Sequence, residues 1–77
     1  AEHNIRVNAL APAYIKTPMT EPFLKDPERL EKLVSRTMLK RMGEAGEMIG
    51  PALFLASEAS SYVTGQILYV DGGWTAN

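Results

Sequence analysis

The side chains in this sequence that could perform acid–base, nucleophilic or metal chemistry show no catalytic spacing. His3 is the only histidine and has no serine or carboxylate at triad-like spacing, so we interpret it as a surface residue. The lack of cysteine excludes disulfides, thiolate zinc sites and thiol nucleophiles. Carboxylates on the predicted helices stand beside Lys and Arg, which is typical of solvated charge: Glu28, Glu31, Glu44 and Glu47. The sequence therefore predicts no catalytic residue and no metal site in this chain.

The sequence also disfavours phosphate loops, nucleic acid and membranes. Neither glycine pattern that binds phosphates, G-x-G-x-x-G or G-x-x-x-x-G-K-[ST], occurs. Eight Lys and Arg residues against nine Asp and Glu give a net charge of −1, too little positive charge for nucleic acid. No apolar run approaches the roughly 18 residues of a membrane span, and residues 1–4 do not resemble a signal peptide. We expect no nucleic-acid or membrane partner, and a cytoplasmic location.

Length and composition limit how this chain can be stable. Its 77 residues are 45% hydrophobic and 22% charged, which is typical of a globular protein. A chain of this size buries only about 60% of the surface that its unfolded form exposes. Without disulfides or a metal, it must either pack unusually well or be part of something larger.

The elements that would carry any site alternate between short apolar runs and helical patterns. Residues 5–11 and 66–70 are predicted to form strands. Pro12 ends the first strand and Asp71-Gly72-Gly73 ends the second. Residues 12–22 read as a loop. A helix is predicted to begin at Asp26-Pro27 and to close by Gly43, because Asp suits the N-cap and Pro the first helical position. Its apolar face comprises Leu30, Leu33, Val34 and Met38.

A second helix is predicted over residues 44–59, and its apolar residues cover so much of its circumference that we expect burial on more than one side. The order strand, helix, helix, strand predicts an α/β fold in which two parallel strands are joined by a helical crossover. Doubly wound dinucleotide folds have about six strands. We therefore interpret residues 1–77 as the carboxyl-terminal strand-helix-helix-strand portion of a single Rossmann-type domain.

Five sequence segments, in order, strongly resemble the carboxyl-terminal third of the short-chain dehydrogenase/reductase family. They are Asn8-Ala9, the Pro12-x-x-Ile15-x-Thr17 loop, Lys40-Arg41-Met42-Gly43-Glu44, Phe54-Leu55-Ala56-Ser57, and Thr64-Gly65-Gln66 through Val70-Asp71-Gly72-Gly73. The resemblance implies an oxidoreductase that uses NAD or NADP to move hydride between nicotinamide and an alcohol or ketone substrate. Residues 14–23 are similar to the gluconate 5-dehydrogenase branch, and the 3-oxoacyl-acyl-carrier-protein reductase branch stays open.

The resemblance assigns the loop after the first strand to cofactor binding, through Pro12, Ala13, Ile15 and Thr17. Main-chain groups just past a strand's carboxyl end lack ladder partners, so those of Ile15 can bind the nicotinamide carboxamide. Thr17 can add a hydroxyl to the carboxamide or to a phosphate oxygen. Ala13 departs from the family, which usually has glycine there. If that position needs a positive φ, alanine costs about 1–2 kcal/mol, and otherwise its methyl group crowds the nicotinamide side. An ordinary loop after a proline-terminated strand is the alternative interpretation.

Residues 18–39 correspond to the family's substrate lid, which implies pocket-lining roles for Tyr14, Met19, Phe23 and Leu24. Lids of this kind close over substrate and exclude water. The alternative is that these apolar residues only seat the helix on the sheet.

The family's catalytic Ser, Tyr and Lys are not found in this chain. Its Tyr and Lys stand four residues apart, whereas Pro18, Gln66 and Gly73 stand four after the three tyrosines of this sequence. The resemblance further implies a homotetramer with contacts through residues 48–56 and 66–74. The alternative function is a non-catalytic module that binds protein or holds an oligomer together.

Overall fold

The computed structural model describes residues 1–76, except for the side chain of Phe23. The regular elements in chain order are β1 (Ala9–Pro12), β2 (Ile15–Lys16), α1 (Glu21–Leu24), α2 (Pro27–Ser35), β3 (Gly43–Glu44), α3 (Ile49–Ala56) and β4 (Ile67–Val70). Turns of 3-10 helix at Ala45–Met48 and Glu58–Ser60 flank α3.

The predicted parallel pair is present in the structure. β1 and β4 run side by side, with Ala9 opposite Ile67 and Pro12 opposite Val70. The chain between them contains the three α-helices. Since both strands point the same way, the segments that follow Pro12 and Val70 leave the sheet at one edge.

The first strand begins later and ends later than predicted. Residues 7 and 8 lie beside residues 64–66, but side chains make part of the hydrogen bonding there. The Val7 N–H donates to Thr64 Oγ1 at 3.1 Å, and the Gln66 N–H donates to Asn8 Oδ1 at 3.0 Å. Pro12 is itself the last strand residue rather than the first of the loop, which is allowed because in this register its nitrogen, like that of Leu10, faces away from β4.

A second parallel pair, β2 with β3, was not predicted. Each strand has two residues, with Ile15 opposite Gly43 and Lys16 opposite Glu44. Two residues are too few for an alternating apolar pattern, so no signal of this pairing exists in the sequence.

Helix α2 confirms its predicted start and corrects its predicted end. The Asp26 side chain accepts the N–H groups of Glu28 and Arg29, with Pro27 as the first helical residue. The helix ends at Ser35 instead of continuing past Met38 toward Gly43. The reason is tertiary, because the N–H groups of Met38 and Leu39 donate to the Gly72 carbonyl at 2.8 and 3.0 Å.

The predicted second helix is divided. Residues 45–60 form 3-10 helix, then α3, then 3-10 helix again. None of the residues in α3 is fully buried, and Ile49 and Leu53 are 62% and 63% exposed. The prediction that this helix is buried on more than one side is therefore not fulfilled by contacts within the 76 described residues.

The described chain has almost no closed core. Met42 is its one buried apolar residue, at 4% exposure. The Cα radius of gyration is 15.0 Å, whereas a compact chain of this length has about 11.5 Å. Within the described part of the chain, no helix combines the length and apolar character that crossing a bilayer requires.

Candidate functional site

The candidate site lies where β1 and β4 end side by side. A recess of about 360 Å³ opens there, which we call the carboxyl-end recess. Its lining consists of Ala11, Pro12, Ala13, Tyr14, Tyr69, Asp71, Trp74 and Thr75. The crevice beyond the carboxyl ends of parallel strands is where open α/β folds bind ligands.

The backbone N–H and C=O groups of Ile15 do not hydrogen-bond to β3. The Gly43 N–H donates to the carbonyl of Tyr14 at 3.0 Å, so the ladder uses the residue before Ile15. In this parallel register the N–H and C=O groups of Ile15 itself face away from β3. Of these, the C=O group accepts the Thr20 hydroxyl at 2.7 Å. The N–H group is thus a backbone donor on the side opposite β3.

Thr17 and Thr20 form a hydrogen-bonded turn directly after β2. The Thr17 N–H donates to Thr20 Oγ1 at 2.9 Å, and the Thr20 N–H donates to the Thr17 carbonyl at 3.0 Å. The two hydroxyl oxygens lie 3.4 Å apart. Thr17 is half-buried in this turn.

Ala13 adopts its conformation without backbone strain. Among the described non-glycine residues, positive φ occurs at Asn4 and Lys40 only. The strained alternative for Ala13 is therefore excluded, and Ala13 lines the carboxyl-end recess.

The residues predicted to line the substrate pocket do not all lie in one place. Tyr14 is 37% exposed and lines the carboxyl-end recess, with its ring edge-on to Trp74 at a centroid distance of 5.1 Å. Met19 is 85% exposed. Leu24 lines a different recess with Lys16 and Met42. The Phe23 side chain lies outside the described part of the structure.

Trp74 connects the end of the chain to α2 and the loop. The Arg36 guanidinium carbon lies 4.8 Å from the Trp74 ring centroid, in addition to the Tyr14 contact. Cation–π and edge-to-face contacts of this kind each contribute about 0.5–1.5 kcal/mol. They hold the carboxyl-terminal end of α2 beside the carboxyl-end recess.

The turn after β4 holds the residues that follow α2. Gly72 has φ +61° and accepts two N–H groups through its carbonyl, those of Met38 and Leu39. Asp71 holds the turn by accepting the Gly73 N–H, the Thr75 N–H and the Thr75 hydroxyl at 2.8–3.0 Å. The Thr75 hydroxyl is the largest cause of the lowered pKa of Asp71.

An ion pair joins Arg41, just before β3, to Glu47 in the 3-10 turn before α3. The Arg41 guanidinium donates to both oxygens of Glu47, at 2.7 and 3.0 Å. Glu47 also accepts the Glu44 N–H at 2.9 Å. These bonds, the one from Arg41 first, lower the pKa of Glu47 to about 2. Lys16 pairs with Glu44 at 3.0 Å across β2 and β3.

Three residues were not assigned to the site from the sequence: Thr20, Gly43 and Gly72. The Thr17-x-x-Thr20 spacing is a weak signal for a hydroxyl-stabilised turn. The roles of Gly43 and Gly72 depend on contacts with residues about 28 and 34 positions away, which local patterns do not reveal.

The comparison with protein families agrees with this geometry. A family model described as enoyl-(acyl carrier protein) reductase matches residues 1–75. The chain belongs to this family of short-chain dehydrogenases/reductases. The resemblance read from the five sequence segments is thereby confirmed.

Individual members of the short-chain dehydrogenase/reductase family match nearly the whole chain. It is 53% identical over 77 residues to a chloroplastic tropinone reductase homolog of Arabidopsis thaliana, covering all of this chain and 24% of that protein. It is 47% identical over 75 residues to gluconate 5-dehydrogenase of Gluconobacter oxydans, covering 97% of this chain and 29% of that protein. The chain spans 24–30% of the length of the curated relatives it matches.

Solved structures of the family superpose closely on this chain. A gluconate 5-dehydrogenase from Burkholderia cenocepacia in complex with NADP and tartrate gives a TM-score of 0.89 at 42% identity, covering 95% of this chain and 29% of that one. A 4-hydroxyisoleucine dehydrogenase complexed with NADH gives a TM-score of 0.94 at 30% identity, covering 99% and 31%. The predicted fold class, part of a Rossmann-type parallel sheet, is confirmed.

Proposed function

We propose that residues 1–77 are the carboxyl-terminal part of an NAD(P)-dependent oxidoreductase that transfers hydride between nicotinamide and an alcohol or ketone. The observation that carries this proposal is the position of Ile15, whose polar edge turns away from β3 just beyond the carboxyl end of the parallel β1–β4 pair. The family membership agrees with it.

The loop residues fit the carboxamide of a nicotinamide ring. A carboxamide carries a donor and an acceptor, and Ile15 offers an N–H donor beside a carbonyl that still has one lone pair after accepting Thr20. Thr17 adds a hydroxyl within the same turn. In this proposal Pro12 and Ala13 lie beside the ring as part of the recess wall. A bound dinucleotide supplies the hydride chemistry, while these residues bind and orient it.

The segment from residue 18 to residue 39 serves as the substrate lid in this proposal. One end is held by the Thr17–Thr20 turn and the other by the Gly72 carbonyl. Met19 lies on the exposed part of the segment, and Tyr14 lies where the recess meets α2 through Trp74. Tyr14, Met19, Phe23 and Leu24 remain the proposed substrate-side residues.

The proposed substrate class is a sugar acid, a polyol or an oxoacyl thioester. Relatives named as acting on such compounds support the first two, among them galactitol 2-dehydrogenase of Cereibacter sphaeroides and 5-keto-D-gluconate 5-reductase of Escherichia coli. Solved relatives with NADP and with NADH support either dinucleotide as cofactor.

The test is turnover by the full-length protein that contains this segment. NADH and NADPH oxidation is measured with keto sugar acids, ketoses and oxoacyl thioesters, and the reverse reaction with the matching alcohols. We expect activity on at least one class. No turnover with any of them would contradict the proposal.

We also propose a homotetramer, in a cytoplasmic protein, with contacts through residues 48–56 and 66–74. Large apolar side chains on both segments are exposed by 41–63%: Ile49, Leu53, Phe54, Ile67 and Tyr69. Exposed apolar side chains of this kind suit a two-fold contact between copies of the chain. Light scattering on the full-length protein tests the tetramer, and Leu53→Glu should dissociate it.

The alternative function is a non-catalytic module that binds protein or holds an oligomer together. The lack of catalytic residues and the extent of exposed apolar surface favour it. It requires the 77-residue chain to fold alone and to have no affinity for nicotinamide dinucleotides. Urea unfolding of that chain tests whether it folds alone, and calorimetric titration with NADH tests whether it binds the dinucleotide. A non-cooperative transition, or stoichiometric NADH binding, would contradict the module.

A further inference from the structure

The hydroxyl of Thr20 connects the two residues that the proposed function gives to the carboxamide. It donates to the Ile15 carbonyl at 2.7 Å and accepts the Thr17 N–H at 2.9 Å. A hydroxyl has one proton, so the Ile15 carbonyl, nearer than the Thr17 carbonyl at 3.1 Å, is its better acceptor. One oxygen atom thus sets the distance between residues 15 and 17.

We propose that Thr20 is a positioning residue for the dinucleotide, acting through Ile15 and Thr17 without touching the cofactor itself. This inference rests on the proposed function. Thr20 is half-buried and lies at the entrance of the lid segment, immediately before α1. It therefore ties the start of the lid to the loop that presents the carboxamide partners.

The geometry explains why this hydroxyl matters more than a surface hydrogen bond. β2 is only two residues long, so its ladder bonds to β3 do not fix the residues that follow. The Thr20 bond holds the Ile15 carbonyl in place and leaves the N–H as the donor beside it. Without the hydroxyl, the Ile15 carbonyl and the Thr17 N–H both lose their partner in this turn, and the loop gains freedom that dinucleotide binding must remove.

The experiment compares three variants of the full-length protein. Thr20→Val removes the hydroxyl at nearly constant volume, and Thr20→Ser keeps it. Thr64→Val is the matched control, because Thr64 Oγ1 also accepts a backbone N–H, that of Val7 at 3.1 Å, but lies at the opposite, amino-terminal end of β4. Affinity is measured for the reduced dinucleotide and for ADP-ribose, which lacks the nicotinamide.

We expect Thr20→Val to weaken dinucleotide binding by about three- to tenfold. ADP-ribose binding should change by less than about twofold, since a local loop defect does not reach the adenosine half. Thr20→Ser should restore dinucleotide affinity, and Thr64→Val should leave it unchanged. If Thr20→Val does not fold, Thr20→Cys carries the same comparison, because a thiol is a weak donor.

The inference fails if an active wild-type protein binds dinucleotide equally well with Val or Cys at position 20. It also fails if Thr20→Ser is as impaired as Thr20→Val, or if ADP-ribose affinity falls in parallel. A wild-type protein without any NAD(P)H turnover would instead overturn the proposed function, so the two failures are distinct.

Discussion

The Cδ1 atom of Ile15 lies 2.7 Å from the point that a Cβ atom on Gly43 would occupy. The isoleucine side chain thus fills the space that glycine leaves open on the partner strand. The same pair of strands is joined by the bond from the Gly43 N–H to the Tyr14 carbonyl. Packing and hydrogen bonding at Gly43 therefore both determine where Ile15 sits.

We predict that Gly43→Ala displaces Ile15. The added methyl group should lower the free energy of unfolding of the full-length protein by about 1–3 kcal/mol and raise its KM for dinucleotide. Gly46→Ala is the control, because no atom lies within 4 Å of its Cβ position. Urea unfolding and steady-state kinetics measure both variants, and equal effects at the two positions would contradict the prediction.

The turn after β4 yields a prediction about the lid. Gly73 has φ +88° and its Cβ would lie 2.6 Å from Met38 Cβ, whereas Gly65 has φ +71° with open space around it. Gly65→Ala should lower the free energy of unfolding by about 1–2 kcal/mol, from backbone strain alone. Gly73→Ala should cost more and raise substrate KM, because Met38 in the lid segment must move. Similar losses of stability with unchanged substrate KM would show that the contact with Met38 is unimportant.

The free energy of unfolding should fall in acid because Glu47 becomes protonated. Its carboxyl pKa falls from the usual 4.5 to about 2 because of the Arg41 guanidinium and the Glu44 N–H. Between these two pH values the unfolded state binds more protons, so the contribution is complete above pH 4.5 and is lost as pH falls toward 2. Glu47→Gln should therefore differ most from wild type at neutral pH and converge with it in acid.

Urea unfolding at steps from neutral pH down to about pH 3 measures this convergence. Glu31→Gln, which removes an exposed carboxylate from α2, serves as the control and should track wild type throughout. A difference between Glu47→Gln and wild type that stays constant with pH would contradict the assignment.

Arg6 should stabilise the fold through the forked shape of its guanidinium group as well as through its charge. Its guanidinium donates to Ser60 Oγ and to the carbonyls of Leu55, Ser57 and Val63, at 3.0–3.2 Å. A lysine ammonium is a point donor that does not match this fork. Arg6→Lys should lower the free energy of unfolding by about 1–3 kcal/mol, measured in urea on the full-length protein. An unchanged midpoint would show that charge at the end of α3 is sufficient.

The features that the sequence predicted well depend on neighbouring residues. Asp26 and Pro27 start α2 because a cap and a fixed φ act within one turn of the chain. The apolar runs of β1 and β4 and their parallel pairing followed from pattern and order, and the five segments identified the family. Each cap, apolar run and segment is complete within a few consecutive residues, and their order along the chain supplied the pairing and the family.

Other features were decided only when distant parts of the chain came together. The end of α2 depends on the Gly72 carbonyl, which accepts N–H groups of Met38 and Leu39. The β2–β3 pair depends on Gly43 and the Ile15 side chain, and Ala13 proved free of strain once its φ was known. Hydrogen bonds and contacts between residues far apart in sequence carry no local pattern, so tertiary structure alone determines them.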